Sequence, residues 1–541
     1  MRHILVAVAL ALVTGCASSS PVGTIRFQPE APVWRVEDKV PLAATPKKRD
    51  FYRLFTKVDF VFARRGTRAM ELRKAKRVED INSIDEVPDS TWFTNRIGMR
   101  DLTLDELKRG PNVSPSPFDH RPWTITGMKV GGMSLGFTFE DALKRKFLLK
   151  FDMAPFPEAE TAAHIIVHRL VWAAGYNVPE DYLGYIRRED LKLGDKARKK
   201  GVDEAKLDAA LKLVYHRDDG SIRAMASLFI SGAPLGPYAR EGVRGDDPND
   251  KIPHERRRSV RGQYPLFAWV DHVDMKEDNT FDSFKDGYVT HYLIDFGKAL
   301  GVMSMTDHDK AAGNRFAFEF GEAFSNLFTL GLRARSWEGR TLTGMRGIGM
   351  FDTEHYRPDG YHSMNPYWPL RDKDRFDAFW GAKIVMRFKP HEIAAIVDEG
   401  QLTDPVSRQY MIDTLLKRQR MTGRYWFDRV APLDLFAVDQ AGDKARLCFT
   451  DLSLSYMLTE APTMYAINTY DHGGNATSFA TSLRNGEKGR TCADVPLAAG
   501  AHDYTIVRLR VQRENRELPP VIVHVARDQG GHLNVVGLRR R

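Results

Sequence analysis

The sequence predicts an α+β fold with a small antiparallel β lobe, a mainly helical lobe and a separate all-β module at the C-terminus. Three patterns support this prediction. Between Trp123 and Asp152, alternating apolar and polar residues are interrupted by glycines, which is typical of short antiparallel strands. Residues 375–428 carry apolar side chains at helical spacing. From Ala431 the sequence changes to short alternating strands, which indicates a β-sandwich-like module over 431–541.

The composition is that of an ordinary globular chain. Of its 541 residues, 43% are hydrophobic and 28% are charged, and the formal net charge is +9. Acidic residues lie among most of the lysines and arginines, so we expect no nucleic-acid partner. Three cysteines exclude a disulfide-rich scaffold and a zinc site built from several cysteines.

The first 16 residues, MRHILVAVALALVTGC, have the order of features found in an export signal. Arg2 supplies a positive start, and the apolar run over 4–13 is too short to span a bilayer. The closing VTGC resembles a bacterial lipobox, at which the leader 1–15 is removed and Cys16 is acylated. This resemblance implies an anchor of several acyl chains, palmitate among them, by which the protein binds a membrane. Ala17 rather than Asp after Cys16 implies the outer membrane of a Gram-negative cell.

The rest of the chain divides into further predicted segments. We expect a long amphipathic helix over 157–174, because Pro157 can open it and Gly175 can end it. The Lys-rich segment 187–212 is expected to be solvated. The predicted segments are a lipidated tether over 16–48, an N-terminal extension of unassigned role over 49–120, the β lobe over 121–190 and the helical lobe over 191–430.

The stretch most informative about chemistry is DHVDMKEDN at 271–279. Two short strands joined by a Lys-Asp-Gly turn follow it, and then the sequence Asp-Phe-Gly begins at Asp295. Because a hairpin returns its ends to one place, we expect Asp295 to lie beside Asp274 and Asn279. Carboxylate and amide oxygens suit Mg²⁺. Lys276 adds a point charge that could neutralise a transferring phosphoryl group.

These two motifs resemble those of protein kinases. HVDMKEDN matches the catalytic loop His-x-Asp-x-Lys-x-x-Asn of Ser/Thr kinases, and IDFG matches their metal-binding Asp-Phe-Gly. The resemblance implies a kinase-like bilobal fold that uses Mg²⁺ with ATP or another phosphate donor. Asp274 would accept the proton of the attacking hydroxyl, and Lys276 would contact the γ-phosphate. Asn279 and Asp295 would hold Mg²⁺, and His272 would join the loop to the Asp-Phe-Gly segment.

The upstream half resembles a kinase β lobe less closely. Lys150, at the end of a strand, stands where kinases keep the lysine that binds the α and β phosphates. Glu160 or Glu158, on the following helix, would be its ion-pair partner. No Ala-Pro-Glu follows Asp295, so the chain resembles an atypical branch of the kinase-like fold. A glycine-containing turn that is not G-x-G-x-x-G would cover the phosphates or form a plain hairpin, and its glycines are Gly131, Gly132 and Gly136.

Other motifs have plainer interpretations. The acids of GDDPND at 245–250 favour a polar turn over a cation-binding loop. His254, before three arginines, favours a solvated helix start over an anion site. The sequence around Ser134 fits the hydrolase motif Gly-x-Ser-x-Gly, but that motif needs a following helix and a strand-like sequence follows here. The His-Glu-x-x-His motif of zinc metalloproteases does not occur.

Two functions of different classes fit these observations. The first is Mg²⁺-dependent phosphoryl or nucleotidyl transfer to an unknown acceptor, either an envelope protein or a small molecule, and the retained polar residues of both motifs favour it. The second is a catalytically inactive kinase-like binding or scaffold protein, which the compartment favours because ATP is scarce outside the cytoplasm. In the same compartment, Cys448 and Cys492 of the C-terminal module could form one disulfide.

Overall fold

The computed structural model describes most of the chain and separates it into two compact units. The larger unit contains 33–432 with 451–460, and the smaller contains 433–450, 461–541 and the residues up to Pro32. No helix among the described residues is long and apolar enough to cross a membrane. Cys16, Gly131, Gly132 and Ser134 lie outside the described residues. Those described are 21–50, 58, 77–129, 135–303, 310–316 and 320–541, without the side chains of 320–323 and 336.

The β lobe of the larger unit is built on one six-stranded sheet. Its strands are β1 Trp123–Met128, β2 Gly136–Glu140, β3 Lys146–Phe151, β4 Asp181–Ile186, β5 Leu191–Leu193 and β6 Ile222–Leu228, in the order β4-β6-β3-β2-β1-β5. Only the edge pair of β1 and β5 is parallel. Alternation places the ring of Phe139 between those of Trp123 and Phe147, with ring centroids 4.1 and 5.1 Å away. A short helix, α1 Leu104–Arg109, precedes the sheet. The helices of the lobe itself are α2 Ala159–Ala174, α3 Asp195–Lys199 and α4 Glu204–Leu211.

This sheet extends past the predicted lobe boundary at residue 190. Strand β6 lies between β3 and β4, so the sheet is complete only after residue 228. The segment 187–212, predicted to be solvated, contributes β5, α3 and α4, and its apolar side chains Ala197 and Leu207 are buried in the core of the β lobe. The lysines of this segment are the exposed sides of amphipathic elements, which explains the wrong prediction.

The helical lobe packs around one large core. Helices α6, α9 and α11 are in mutual contact through Trp269, Phe379 and Leu415. Asp374 and Asp404 cap α9 and α11 by accepting hydrogen bonds from their first backbone amides. The predicted α+β class with a sheet lobe and a helical lobe is confirmed. The elements are β7 Ala233–Gly236, α5 Arg258–Arg261, α6 Gln263–Trp269, β8 Thr280–Lys285, β9 Tyr288–Leu293, α7 Phe320–Thr329, α8 Trp368–Arg371, α9 Arg375–Arg387, α10 Pro390–Glu399, α11 Pro405–Phe427 and, beyond β10 and β11 of the smaller unit, α12 Leu452–Ser455.

The residues before the β lobe are part of the larger unit rather than a loose extension. Trp92 and Phe93 are buried in the same core as the helices. Within the predicted tether, Asp38 accepts hydrogen bonds from the backbone and hydroxyl of Thr91, and the amide of Leu42 donates to the Gly287 carbonyl at 2.8 Å. Residues 33–48 of the predicted tether over 16–48 therefore belong to the larger folded unit.

The smaller unit is the predicted all-β module. Its strands are β10 Leu433–Ala441, β11 Lys444–Asp451, β12 Thr463–Tyr470, β13 Ala476–Arg484, β14 Arg490–Pro496, β15 Thr505–Arg513, β16 Arg516–Arg527 and β17 Leu533–Arg540. They form the sheets β10-β11-β14 and β13-β12-β15-β16-β17, and the rings of Phe449 and Tyr465 meet between them at 5.0 Å. Cys448 and Cys492 lie opposite each other in register and are disulfide-bonded. Residues 21–32 also join this module, since Phe27 packs on His524 with ring centroids 4.9 Å apart.

Candidate functional site

The β8–β9 hairpin brings the two halves of the predicted site together. Thr280 pairs with Leu293 at the base of the hairpin, and the Ile294 amide donates to the Asn279 carbonyl at 3.0 Å. Asp295, the next residue, therefore lies beside Asn279, as expected from the predicted hairpin. The side chain of Asn279 reaches the backbone of the 271–279 loop, since its Nδ2 donates to the Asp274 carbonyl at 2.8 Å.

The Asp274 carboxylate is held between two lysines. Its Oδ1 lies 2.8 Å from Lys276 Nζ, and its Oδ2 lies 3.3 Å from Lys298 Nζ. Asp274 is nearly buried, whereas both ammonium groups are partly exposed at the rim of the site. These contacts fix the direction of the carboxylate and place two positive charges beside it. The role of Lys298 was missed from the sequence, although its place three residues after Asp295 is the signal that could have found it.

Asp295 makes its main contact with Lys150 of β3. Lys150 is 2% exposed and its Nζ bonds to Asp295 Oδ1, while the Asp295 side chain is 33% exposed. Burial alone would lower the pKa of Lys150, but Asp295 and Glu160 outweigh burial and raise it. Burial would likewise raise the pKa of Asp295, but Lys150 and then Lys129 hold it far below the usual carboxyl range. Both groups are therefore charged near neutral pH.

The two carboxylates predicted as partners of Lys150 have different surroundings. Glu160, in the first turn of α2, packs behind the Asp-Phe-Gly segment: a Cβ on Gly297 would lie 2.9 Å from Glu160 Cγ. Glu158 precedes the helix with φ +66° and points elsewhere, pairing with Arg346 at 2.9 Å and accepting from the Thr403 amide at 2.9 Å. Glu160 is thus the carboxylate that shares the site with Lys150.

A further lysine, Lys129, enters the site from the end of β1. Burial and the neighbouring Lys150 lower the pKa of Lys129, and the attraction of Asp295 and Glu160 opposes them. Gly136 allows this approach, and it pairs with Lys150 across the sheet. A Cβ at position 136 would lie 2.4 Å from the Leu149 carbonyl oxygen and 3.4 Å from Lys129 Cδ, so only glycine fits there. Sequence reasoning passed over Lys129 because it looked only for glycines in this turn.

His272 has the joining position that the kinase resemblance implies. Its Nδ1 contacts the Lys298 carbonyl at 3.2 Å, and its ring centroid lies 5.7 Å from that of Phe296. Burial lowers the pKa of His272, which keeps the imidazole neutral at ordinary pH. Phe296 also contacts the rings of His164 and His168 of α2, at 5.8 and 5.9 Å. Phe296 therefore links the 271–279 loop to the helix that carries Glu160.

The side-chain oxygens of Asp295 and Asn279 suit a hard cation that also binds phosphate oxygens. Asp295 is ionised and one-third exposed, and Asn279 keeps its Oδ1 as an acceptor because its Nδ2 is used on Asp274. Among the residues that the structure describes, no three His, Cys, Asp or Glu side chains are grouped to hold a metal. Mg²⁺ commonly uses one or two protein carboxylates plus substrate phosphates. Asp295 and Asn279 would hold such an ion.

We expect Lys129→Met to weaken Mg²⁺-ATP binding by about tenfold or more, because a charge-assisted hydrogen bond to phosphate contributes roughly 1.5–3 kcal/mol. The affinity is measured by isothermal titration calorimetry of the full chain. Lys146→Met removes an exposed lysine from the start of β3 and is the matched control, expected to bind like the parent. Equal affinities of the Lys129 and Lys146 variants would remove Lys129 from the phosphate site.

His254 differs from its predicted solvated state, and Asp250 of the GDDPND turn lies beside it. Asp250 is buried and pairs with His254 Nε2 at 2.7 Å and with Arg257 Nη2 at 2.8 Å. The indole of Trp92 covers His254, with ring centroids 4.6 Å apart. The prediction of a solvated helix start is wrong for His254, since Trp92, about 160 positions upstream, helps to bury it. The ion pairs of Asp250 with His254 and Arg257 are internal to the fold.

No protein-family model matches the chain, and no curated protein matches its sequence. Three solved structures similar to it are of kinases. The proinflammatory kinase CtkA of Helicobacter pylori is 12% identical with a TM-score of 0.31, over 56% of this chain and 97% of that one. A structure of the Golgi casein kinase with Mn and ADP bound is 13% identical with a TM-score of 0.29, over 64% of this chain and 77% of that one. A second structure of the Golgi casein kinase is 12% identical with a TM-score of 0.27, over 60% of this chain and 73% of that one.

Proposed function

We propose that this protein is an envelope-anchored, atypical kinase-like enzyme that transfers a phosphoryl group, or a nucleotidyl group, from ATP or a related donor. The observation that carries the proposal is the pairing at the hairpin base. Asp274 forms ion pairs with Lys276 and Lys298, and Asp295 forms an ion pair with Lys150. The two groups adjoin each other at the base of the β8–β9 hairpin. The envelope part of the proposal is supported by the sequence of the leader and by the resemblance at Cys16 to acylated outer-membrane proteins.

The charged side chains of the candidate site suit an anionic ligand. Four ammonium groups, from Lys129, Lys150, Lys276 and Lys298, face the carboxylates of Asp274, Asp295 and Glu160. The site thus carries a net positive charge before a donor binds, and the repulsion between Lys129 and Lys150 would be relieved by phosphate oxygens between them. A plain structural ion-pair network would gain nothing from a surplus of cations, least of all around the buried Lys150.

Each side chain then has a definite task. Lys150 and Lys129 bind phosphate oxygens of the donor, and Glu160 keeps Lys150 in place through its charge. Mg²⁺, held by Asp295 and Asn279, would neutralise charge that develops on the transferring group. Asp274 accepts the proton of the acceptor hydroxyl, and Lys276 draws the transferring group towards the acceptor. The acceptor is an envelope protein or a small molecule.

A thermal-shift titration of the full chain with ATP and Mg²⁺ tests the binding half of the proposal. At a ligand concentration a hundred times Kd, binding should stabilise the fold by about 2.7 kcal/mol, and the shift with both ligands should exceed that with ATP alone. No metal-dependent stabilisation would count against the enzyme. Metal-dependent binding without turnover would favour the inactive binding or scaffold protein, to which the scarcity of ATP in the envelope also points.

A further inference from the structure

Helix α7 and the residues after it present large apolar side chains to solvent. Phe324, Leu327, Phe328, Leu330 and Leu332 are each between 60% and 85% exposed. Soluble proteins rarely leave so many neighbouring apolar groups uncovered without a partner. By contrast, Val113 and Val406 of the larger unit are exposed apolar residues with no other exposed large apolar residue beside them in the sequence.

The helix is amphipathic by its spacing. Phe324, Leu327 and Phe328 stand at i, i+3 and i+4 and so share one face. The opposite face carries polar residues that bond locally, since Thr329 Oγ1 donates to the Ser325 carbonyl at 2.8 Å. At the end of the helix, Leu330 with φ +50° and Gly331 with φ +79° turn the chain so that Leu332 continues the exposed apolar surface.

The border of this apolar surface carries one exposed arginine and a tryptophan. Arg333 is exposed and bonds to Ser325 Oγ at 3.1 Å. Arg335 is 16% exposed, stacks over Trp337 at 5.7 Å from the ring centroid and has its charge paired with Glu338 at 3.1 Å. Leucine and phenylalanine bordered by arginine and tryptophan are the composition of helices that lie in the boundary between lipid headgroups and acyl chains.

We propose that the apolar surface of α7 and residues 330–332 inserts into an anionic membrane surface. The side chains protrude, and a fluid lipid surface accepts a convex apolar shape, whereas a peptide is usually held in a groove. A second copy of the chain is a poorer occupant, because two-fold pairing of this surface would place the like charges of Arg333 from both copies in one interface. Phosphate headgroups instead complement the charge of Arg333.

This membrane contact is independent of acylation and of phosphoryl transfer. It lies in the segment that follows Asp295, so insertion would hold the candidate site near the membrane even in a chain without acyl groups.

A site-specific fluorophore tests the insertion. The full chain with Cys16→Ser has its other two native cysteines in the disulfide, so a cysteine introduced by Phe328→Cys can be labelled with the environment-sensitive dye NBD. We expect vesicles of phosphatidylethanolamine and phosphatidylglycerol to increase NBD emission several-fold and to shift it to the blue. Vesicles of phosphatidylcholine alone should act more weakly. A label at Val113→Cys, which is equally exposed, should not respond.

Variants then separate the apolar surface from the leader, which all these chains share. Leu330→Ser with Leu332→Ser should weaken vesicle binding at the residue-328 label by about tenfold or more, while Val406→Ser should not. The proposal is overturned if the residue-328 label ignores vesicles, if both labels respond alike, or if the serine variant binds unchanged. Emission that rises with protein concentration in the absence of vesicles would assign the surface to self-association instead.

Discussion

Replacement of Asp295 by asparagine is expected to abolish the part of the ATP-induced stabilisation that depends on Mg²⁺. The substitution keeps the shape of the side chain and removes its charge. Asparagine also tolerates the left-handed backbone that Asp295 adopts, with φ +63°, so the turn itself should survive. A neutral amide cannot replace an ionised carboxylate as a ligand for a hard cation.

The same substitution has a second, opposite effect on the metal-free donor. Asp295 is the closest carboxylate to Lys150, and removing it leaves more positive charge in the site. ATP without Mg²⁺ should therefore bind Asp295→Asn at least as well as the parent chain. The unliganded variant should also unfold more easily, by about 2 kcal/mol, because Lys150 is buried and loses the carboxylate bonded to its Nζ, keeping the weaker attraction of Glu160 and Asp181.

Thermal shifts with ATP, with Mg²⁺ and with both measure these effects, and circular dichroism shows that the variant is folded. Asp286→Asn is the matched control: Asp286 lies at the exposed tip of the same hairpin and has a similar backbone, with φ +56°. It should behave like the parent in all three titrations. A metal-dependent shift that survives in Asp295→Asn would exclude Asp295 as a metal ligand.

Local pattern was sufficient to predict the fold class and the hairpin of the site. The Asp-Gly turn and the two short alternating strands define β8 and β9, and a hairpin has only one way to return its ends. That is why Asn279 and Asp295 could be placed together from the sequence. The kinase-like order of the motifs then led to Lys150, which reaches the site from a different sheet.

What could not be predicted depends on distant contacts. Lys129 and Lys298 enter the site because the sheet and the loop after Asp295 converge there. Neither lysine belongs to the His-x-Asp-x-Lys-x-x-Asn or Asp-Phe-Gly motif. His254 was expected in solvent because its neighbours along the chain are arginines, yet Trp92 buries it. The sequence also could not decide whether Glu158 or Glu160 lies near Lys150. That depends on how the first turn of α2 is oriented and on Arg346, which pairs with Glu158.

Replacement of Asp274 by asparagine is expected to reduce phosphoryl transfer by about 10²- to 10⁴-fold, the contribution typical of a positioned general base. Binding of Mg²⁺-ATP should change little, because the proposed metal ligands are Asn279 and Asp295. The backbone contact from Asn279 Nδ2 to the Asp274 carbonyl does not depend on the Asp274 side chain, so the loop should keep its shape.

Because the acceptor is unknown, transfer is measured as ADP release from ATP, with water as the default acceptor and with envelope extracts added in parallel. The same preparations are titrated for binding by thermal shift. Parent-like turnover in Asp274→Asn would remove Asp274 as the base, and the two lysines that hold its carboxylate would then have a purely structural role. Absence of turnover in the parent chain itself, with metal-dependent binding intact, would mean that the site binds a nucleotide without transferring its phosphate. In that case the net positive charge around Asp274 and Asp295 would serve recognition, and Asp274→Asn should still bind the nucleotide in a metal-dependent manner.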